Sequence, residues 1–183
     1  GFIYTSGIFS DSAFIFGNTN ISNKGGRDVV IMKWDTSGNL IWANSIWGLQ
    51  DESVVSLHVN ANNELIIGGN SNSMNLNFSG NIFPLNGGMD FFISKYDLNG
   101  GFLQSRIFGT LGNDTLNSVC TDFQNNIYLA SNGGVAKFDP LLVSMMWQRS
   151  VFFFFFFYSK HDSTLILAGP FKDTLSMGNF TIV

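Results

Sequence analysis

Cysteine occurs once in these 183 residues, proline three times, and charged side chains make up only 12% of the chain. A lone Cys120 excludes an internal disulfide framework, though not export. Nine cations are scattered against 13 acidic residues, giving a net charge of −4 and a pI near 4.8. No basic stripe forms, which argues against a nucleic-acid partner. No run of about 20 apolar residues occurs, so no membrane-spanning helix is expected. Glu, Lys and Ala are too few for a soluble helical protein. What is present is 20 Phe and 20 Gly, with abundant Asn. Aromatic and β-branched residues broken up by Gly, Asn, Asp and Ser are what short strands and tight turns require.

Self-similarity organises the chain. The segment GGRDVVIMKWDTSG (Gly25 to Gly38) aligns with GGMDFFISKYDLNG (Gly87 to Gly100), at an offset of 62 positions. The same offset relates Gly7 to Gly69, Phe16 to Phe78, Ser56 to Ser118 and Asn63 to Asn125. A third unit, NNIYLASNGGVAKFD (Asn125 to Asp139), is shortened: Lys95 to Lys137 is 42 positions, so 62 − 42 = 20 residues are missing. A fourth opens with STLILAGPF at Ser163. The approximate units are 1–53 (partial), 54–115, 116–150 (shortened) and 151–183 (partial).

Within a unit the pattern predicts four strands, at Val54–Val59, Leu65–Gly69, Asp90–Asp97 and near Phe102–Phe108. Residues Asn70 to Gly88 read as a surface connection whose length the fold does not fix. Asp35-Thr36-Ser37-Gly38 and Asp97-Leu98-Asn99-Gly100 suit a short hairpin loop on a type I turn, with Gly at positive φ. Val29, Ile31 and Lys33 share one strand face and Val30, Met32 and Trp34 the other, so a sheet covered on both sides is expected. The fold class expected is all-β: tandem four-stranded antiparallel blades forming a partial β-propeller, an open arc of about three blades. The chain starts and stops inside strand-like runs. Residues 1–183 therefore read as a fragment of one propeller domain, completed by further blades of the same parent chain.

The motif G-G-x-D-x-x-x-x-K-aromatic-D-x-x-G followed by a Trp-bearing strand resembles the seven-bladed β-propeller repeat (SBBP-type) family of bacterial tandem β-repeat proteins. Here it reads Gly25, Gly26, Asp28, Lys33, Trp34, Asp35, Gly38 and Trp42. The second copy has Gly87, Gly88, Asp90, Lys95, Tyr96, Asp97 and Gly100, with Gln104 in place of the Trp. The third keeps Gly133, Gly134, Lys137, Phe138, Asp139 and Trp147, while Pro140 and Leu141 spoil its turn. A weaker similarity is to the quinoprotein-type propeller repeat, whose Asp-to-Gly spacing is one longer. The first resemblance implies a secreted or cell-surface protein and assigns no catalytic or ligand residues.

The recurrent Lys33, Lys95 and Lys137, with Asp35, Asp97 and Asp139 two residues on, could form a repeated binding rim. A charge pair or a turn-forming Asp explains them more simply, since a catalytic site is needed once. His58 and His161 occupy non-equivalent places without triad or metal spacing. Cys120, which corresponds to His58, has no basic neighbour and reads as a small core residue. Residues Asn60 to Glu64 and Asp122 to Asn126 hold oxygen donors but too few carboxylates for a calcium loop. The run Phe152–Phe157 is either a buried strand or a sequence accident. No catalytic, cofactor-binding or metal residue is assigned. The expected function is a non-catalytic scaffold or adhesion module that binds a protein or carbohydrate through blade-end loops. The alternative is the propeller part of an enzyme, such as a quinoprotein-type oxidoreductase or a carbohydrate-active enzyme, with its active site in other blades.

Overall fold

The computed structural model describes residues 1–150 in full and, between 151 and 183, only the backbone of four strands. The strands are β1 (Phe2–Phe9), β2 (Ala13–Phe16), β3 (Thr19–Ser22), β4 (Asp28–Asp35), β5 (Leu40–Trp47), β6 (Glu52–Val59), β7 (Glu64–Ser71), β8 (Asn75–Phe78), β9 (Asn81–Pro84), β10 (Asp90–Asp97), β11 (Phe102–Phe108), β12 (Leu116–Thr121), β13 (Ile127–Ser131), β14 (Gly134–Phe138) and β15 (Met145–Arg149). The remaining four are β16 (Phe155–Ser159), β17 (Thr164–Ala168), β18 (Leu175–Met177) and β19 (Phe180–Ile182). Every pairing among the described residues is antiparallel. Among the described residues there is no helix, and so none long and apolar enough to cross a membrane. The readings made for Phe152–Phe157 and His161 lie outside the residues whose side chains are described.

The 62-residue repeat is written into the strand pairing. The bulge between Lys33 and Trp34 against β5 recurs between Lys95 and Tyr96 against β11. Val29 faces Ile46 and Phe91 faces Phe108, again 62 positions apart at both partners. The second sheet has the order β11-β10-β7-β6 and the third β12-β13-β14-β15, both with the expected four strands. The first sheet has five, β1-β4-β5-β8-β9. Its last two strands come from the following unit.

That exchange corrects the reading of Asn70 to Gly88 as a dispensable connection. The segment folds into the hairpin β8–β9, and β8 adds to the outer edge of β5 through Ile46–Phe78 and Trp47–Asn77. Ser79 and Gly80 both take positive φ (53° and 93°), as a tight two-residue hairpin turn requires. Phe78 and Leu76 are fully buried, and Phe78 meets the rings of Phe83, Phe92 and Phe102 at 5.5, 5.3 and 6.0 Å. The equivalent hairpin of the first unit is β2–β3.

Two cores flank the second sheet. Val29, Ile31 and Ile46 of the first sheet pack with Leu65, Ile67, Phe92 and Tyr96 of the second. Ile66, Phe91 and Ile93, on the opposite face, pack with Leu116, Val119, Leu129 and Phe138 of the third. The two-sided burial expected from the sequence is therefore present in β10, because neighbours at i and i+1 along a strand point to opposite layers.

The third unit departs from expectation at two points. Gly133 and Gly134 do not occupy the place of Gly87 and Gly88. Val135 sits opposite Ala130 as Ile93 sits opposite Gly68, so the missing residues are those equivalent to 72–91, and Asn132 and Gly133 form the loop from β13 to β14. Nor is the Asp139 turn lost. Leu142, at φ 57°, takes the left-handed position that Gly38 and Gly100 hold elsewhere, and one extra residue completes the loop. A left-handed non-glycine residue costs about 1–2 kcal/mol. Burial of the Leu142 side chain in the second core, where it is 1% exposed, offsets that.

Candidate functional site

The repeated charged residues are spent on architecture. Asp35 accepts from Ser37 N, Asn39 N and Asn39 Nδ2 at 2.8, 2.9 and 2.7 Å, and Asp97 accepts from Asn99 N and Gly101 N. Asp139 likewise accepts from Leu141 N, Val143 N and Ser144 N. The hydrogen bonds from Asn39 hold the Asp35 carboxyl below its ordinary pKa. The lysines do not pair with these aspartates. Lys33 Nζ donates to Leu98 O at 2.7 Å, in the turn of the next unit, and Lys95 Nζ donates to Pro140 O, one unit further on.

Lys137 instead lies 3.4 Å from Asp122, within its own sheet, while Lys33 and Lys95 each act with two neighbours on the adjacent strand. Trp42 Nε1 donates to the same Leu98 carbonyl at 3.3 Å, and Asn44 Nδ2 to Gly100 O at 2.7 Å. Their counterparts Gln104 and Arg106 donate to Leu141 O and to Leu142 O and Val143 O. Three side chains of one sheet thus grip the turn of the next through its free carbonyls. Lys33→Met is expected to lower stability by about 1.5–3 kcal/mol, the scale of a hydrogen bond from a charged donor. The urea midpoint measures it. A stabilised variant would mean that desolvation of the ammonium outweighs the bond.

At the opposite strand ends lies a second repeated feature, built on the motif residues Asp28 and Asp90, to which the sequence reading gave no role. Asp28 and Asp90 are fully buried, each with one oxygen accepting a backbone N–H, from Lys24 at 2.7 Å and Asn86 at 2.6 Å. Glu52, 1% exposed, accepts from Gly48 N, Ser71 Oγ and Ser73 Oγ at 2.7, 2.8 and 2.7 Å. Burial first, and then the neighbouring Asp28 carboxyl, push Glu52 up to about 7. Burial raises Asp28 as well. The sequence signal was local: the acid four residues after Gly48 recurs as Asp114 four residues after Thr110, with the same backbone bond from Thr110 N at 2.7 Å.

His58 Nε2 lies 3.1 Å from Thr121 Oγ1, beside the Ser56 Oγ to Val119 O bond, so both residues join the first strands of consecutive sheets. Burial pushes the Cys120 thiol up to about 12, which leaves it a thiol and a poor nucleophile at neutral pH. The oxygen-rich turns are self-satisfied. Asn60 Oδ1 accepts from Asn62 N and Glu64 N, Asp122 accepts from Asn126, and Asn125 Oδ1 takes Ala61 N of the preceding unit. Among the described residues no group of three or more His, Cys, Asp or Glu is placed to hold a metal ion.

The two ends of the sheets differ. One end carries the closed Asx-type turns just described. The other gathers the connections from sheet to sheet, stitched together by Gln50 N to Ser73 Oγ, Asp51 N to Asn72 Oδ1, Met89 N to Asn113 Oδ1 and Thr115 N to Asn132 Oδ1. This end exposes Leu49 (78%), Met74 (79%) and Leu111 (92%), and the turn end exposes Phe123, Leu141 and Val143. Between the end of β5 and the β8–β9 hairpin is a cleft of about 190 Å³ lined by Trp47, Leu49, Met74, Leu76 and Ile82. The class defined by these observations is an all-β protein of tandem antiparallel sheets. The chain matches no protein-family model and no curated protein.

Proposed function

We propose that the chain is a scaffold of propeller type, an arc of SBBP-like blades, and that it binds a protein or carbohydrate ligand through the connecting loops at one end. The observation that carries this reading is the cleft at the connecting-loop end. Turns at one end consume their own polar groups. The loops at the other expose Leu111 and, around a Trp47-lined cleft, Leu49 and Met74. Exposed apolar side chains grouped beside a polar, hydrogen-bonded frame are what a recognition surface needs. Stacking of consecutive sheets, each gripping the turn of the next, supports the arc. The motif resemblance supports an exported bacterial setting, and with it a secreted or surface-bound ligand. His58 and the recurrent Lys and Asp residues have structural partners and Cys120 is a buried thiol, which favours binding over catalysis.

The test is a binding screen of residues 1–183 against immobilised glycans and bacterial and host surface proteins. A ligand is expected whose affinity falls at least tenfold in Leu49→Glu and Met74→Glu, both exposed enough to leave folding intact. A ligand indifferent to both changes, or turnover of a bound substrate, would overturn the reading.

A further inference from the structure

The hairpin that fills the junction between the first and second sheets has no counterpart between the second and third. At the first junction β8 lies against the outer edge of β5, and Phe78 occupies the space between the sheets. At the second, the residues equivalent to 72–91 are missing, and among the described residues no strand pairs with the outer edge of β11. Larger side chains partly compensate. Val29 and Ile46 become Phe91 and Phe108, whose rings stack at 5.0 Å and 10°. A cleft of about 300 Å³ nevertheless remains, bounded by Phe91, Arg106, Phe108, Leu129, Phe138 and Met145.

We infer that this cleft is a peptide-binding groove, and that its ligand is a partner's β-hairpin with a large aromatic side chain facing inward. The chain's own first junction is the template. Transposed by 62 positions, the Ile46–Phe78 and Trp47–Asn77 pairs place an incoming strand antiparallel to β11, opposite Phe108 and Gly109. An unpaired strand edge supplies main-chain donors and acceptors, and the adjoining groove, apolar along Phe91, Phe108 and Phe138 and polar at Arg106, Ser131 and Gln148, supplies selectivity, which is recognition by strand addition. The groove is separate from the Trp47 cleft, so this inference does not depend on the function proposed above.

The probe is a labelled peptide of residues 73–86 of this chain, titrated against residues 1–183. Saturable binding is expected, weakened at least tenfold by Phe78→Asp in the peptide and by Met145→Glu at the groove's exposed rim. Copying residues 72–91 between Gly133 and Gly134 should fill the groove in cis. That chimera should lose peptide binding and gain about 2–4 °C in thermal midpoint, as expected if roughly 1 kcal/mol is gained. The thermal shift reads the groove even where a free hairpin is too frayed to bind tightly. No saturable binding together with an unchanged or lower midpoint would overturn the inference, as would binding that persists in the chimera. Self-association abolished by Ile15→Asp would identify the occupant as the β2–β3 hairpin of a second copy, and would overturn the partner reading.

Discussion

Deleting residues 72–91 is expected to destabilise the junction of the first two sheets by more than any single core substitution, although the third unit lacks the same residues. The deletion removes Phe78 and Leu76, both fully buried, and breaks the β5–β8 pairing. It also removes Asn72, which accepts from Asp51 N, Ser73, which binds Glu52 and Gln50 N, and the first two residues of β10, Asp90 and the core residue Phe91. Phe78→Ala alone should cost about 3–5 kcal/mol, because Phe83, Phe92 and Phe102 surround the ring and cannot all collapse into its space. The third unit tolerates the shorter form because Phe91 and Phe108 are larger than Val29 and Ile46. Val29→Phe with Ile46→Phe should therefore restore part of the stability lost in the deletion variant and little in the intact chain. Urea unfolding followed by circular dichroism measures each step. An unchanged midpoint in the deletion variant would return the segment to the status of a passive loop.

What the sequence made legible was local, and what it hid was long-range. The Asp-x-x-Gly turns are readable because the carboxylate, the backbone N–H groups it satisfies and the positive-φ residue lie within five positions. Two-sided burial of β10 is readable because apolar residues occupy consecutive positions there. The hairpin β8–β9 was missed although Phe78-Ser79-Gly80-Asn81 is a plausible two-residue turn between short strands. Its strands are only four residues each, and the edge that stabilises β8 belongs to β5, in the preceding unit. The lysines were read against the aspartates two positions on, whereas their acceptors lie 65 and 45 residues away. The Asp139 turn was read as broken at Pro140 and Leu141 because propensity at a single position cannot register that burial of Leu142 outweighs backbone strain. Gly133 and Gly134 matched the motif by composition, and only strand register shows that they stand elsewhere in the unit.

The stability of the protein should fall as pH rises from about 4.5 to about 7, and Glu52 should be the main cause. Its ordinary value is 4.5 and its folded value about 7, raised by burial and by the facing Asp28. Between these values the folded chain holds a proton that the unfolded chain has released, so stability is fully present below the lower value and lost on approaching the upper one. A separation of about 2.5 units corresponds to about 3 kcal/mol as an upper limit. The raised value of Asp28 acts in the same direction. The proton has a place to sit: one Asp28 oxygen is buried without a partner, and a protonated Glu52 can donate to it while still accepting from Gly48 N, Ser71 and Ser73. Asp35, Asp51 and Asp139, held below the ordinary value by hydrogen bonds at the surface, act in the opposite sense, but only at pH below about 4. Urea midpoints measured from pH 5 to 8 should decline in the native sequence and flatten in Glu52→Gln, whose amide can donate to Asp28 at every pH. A histidine contribution would survive in that variant and so be told apart. A stability profile that is flat or rising between pH 5 and 7 would show that Glu52 is ionised in the folded chain, with its charge carried by Gly48 N and the two serine hydroxyls alone.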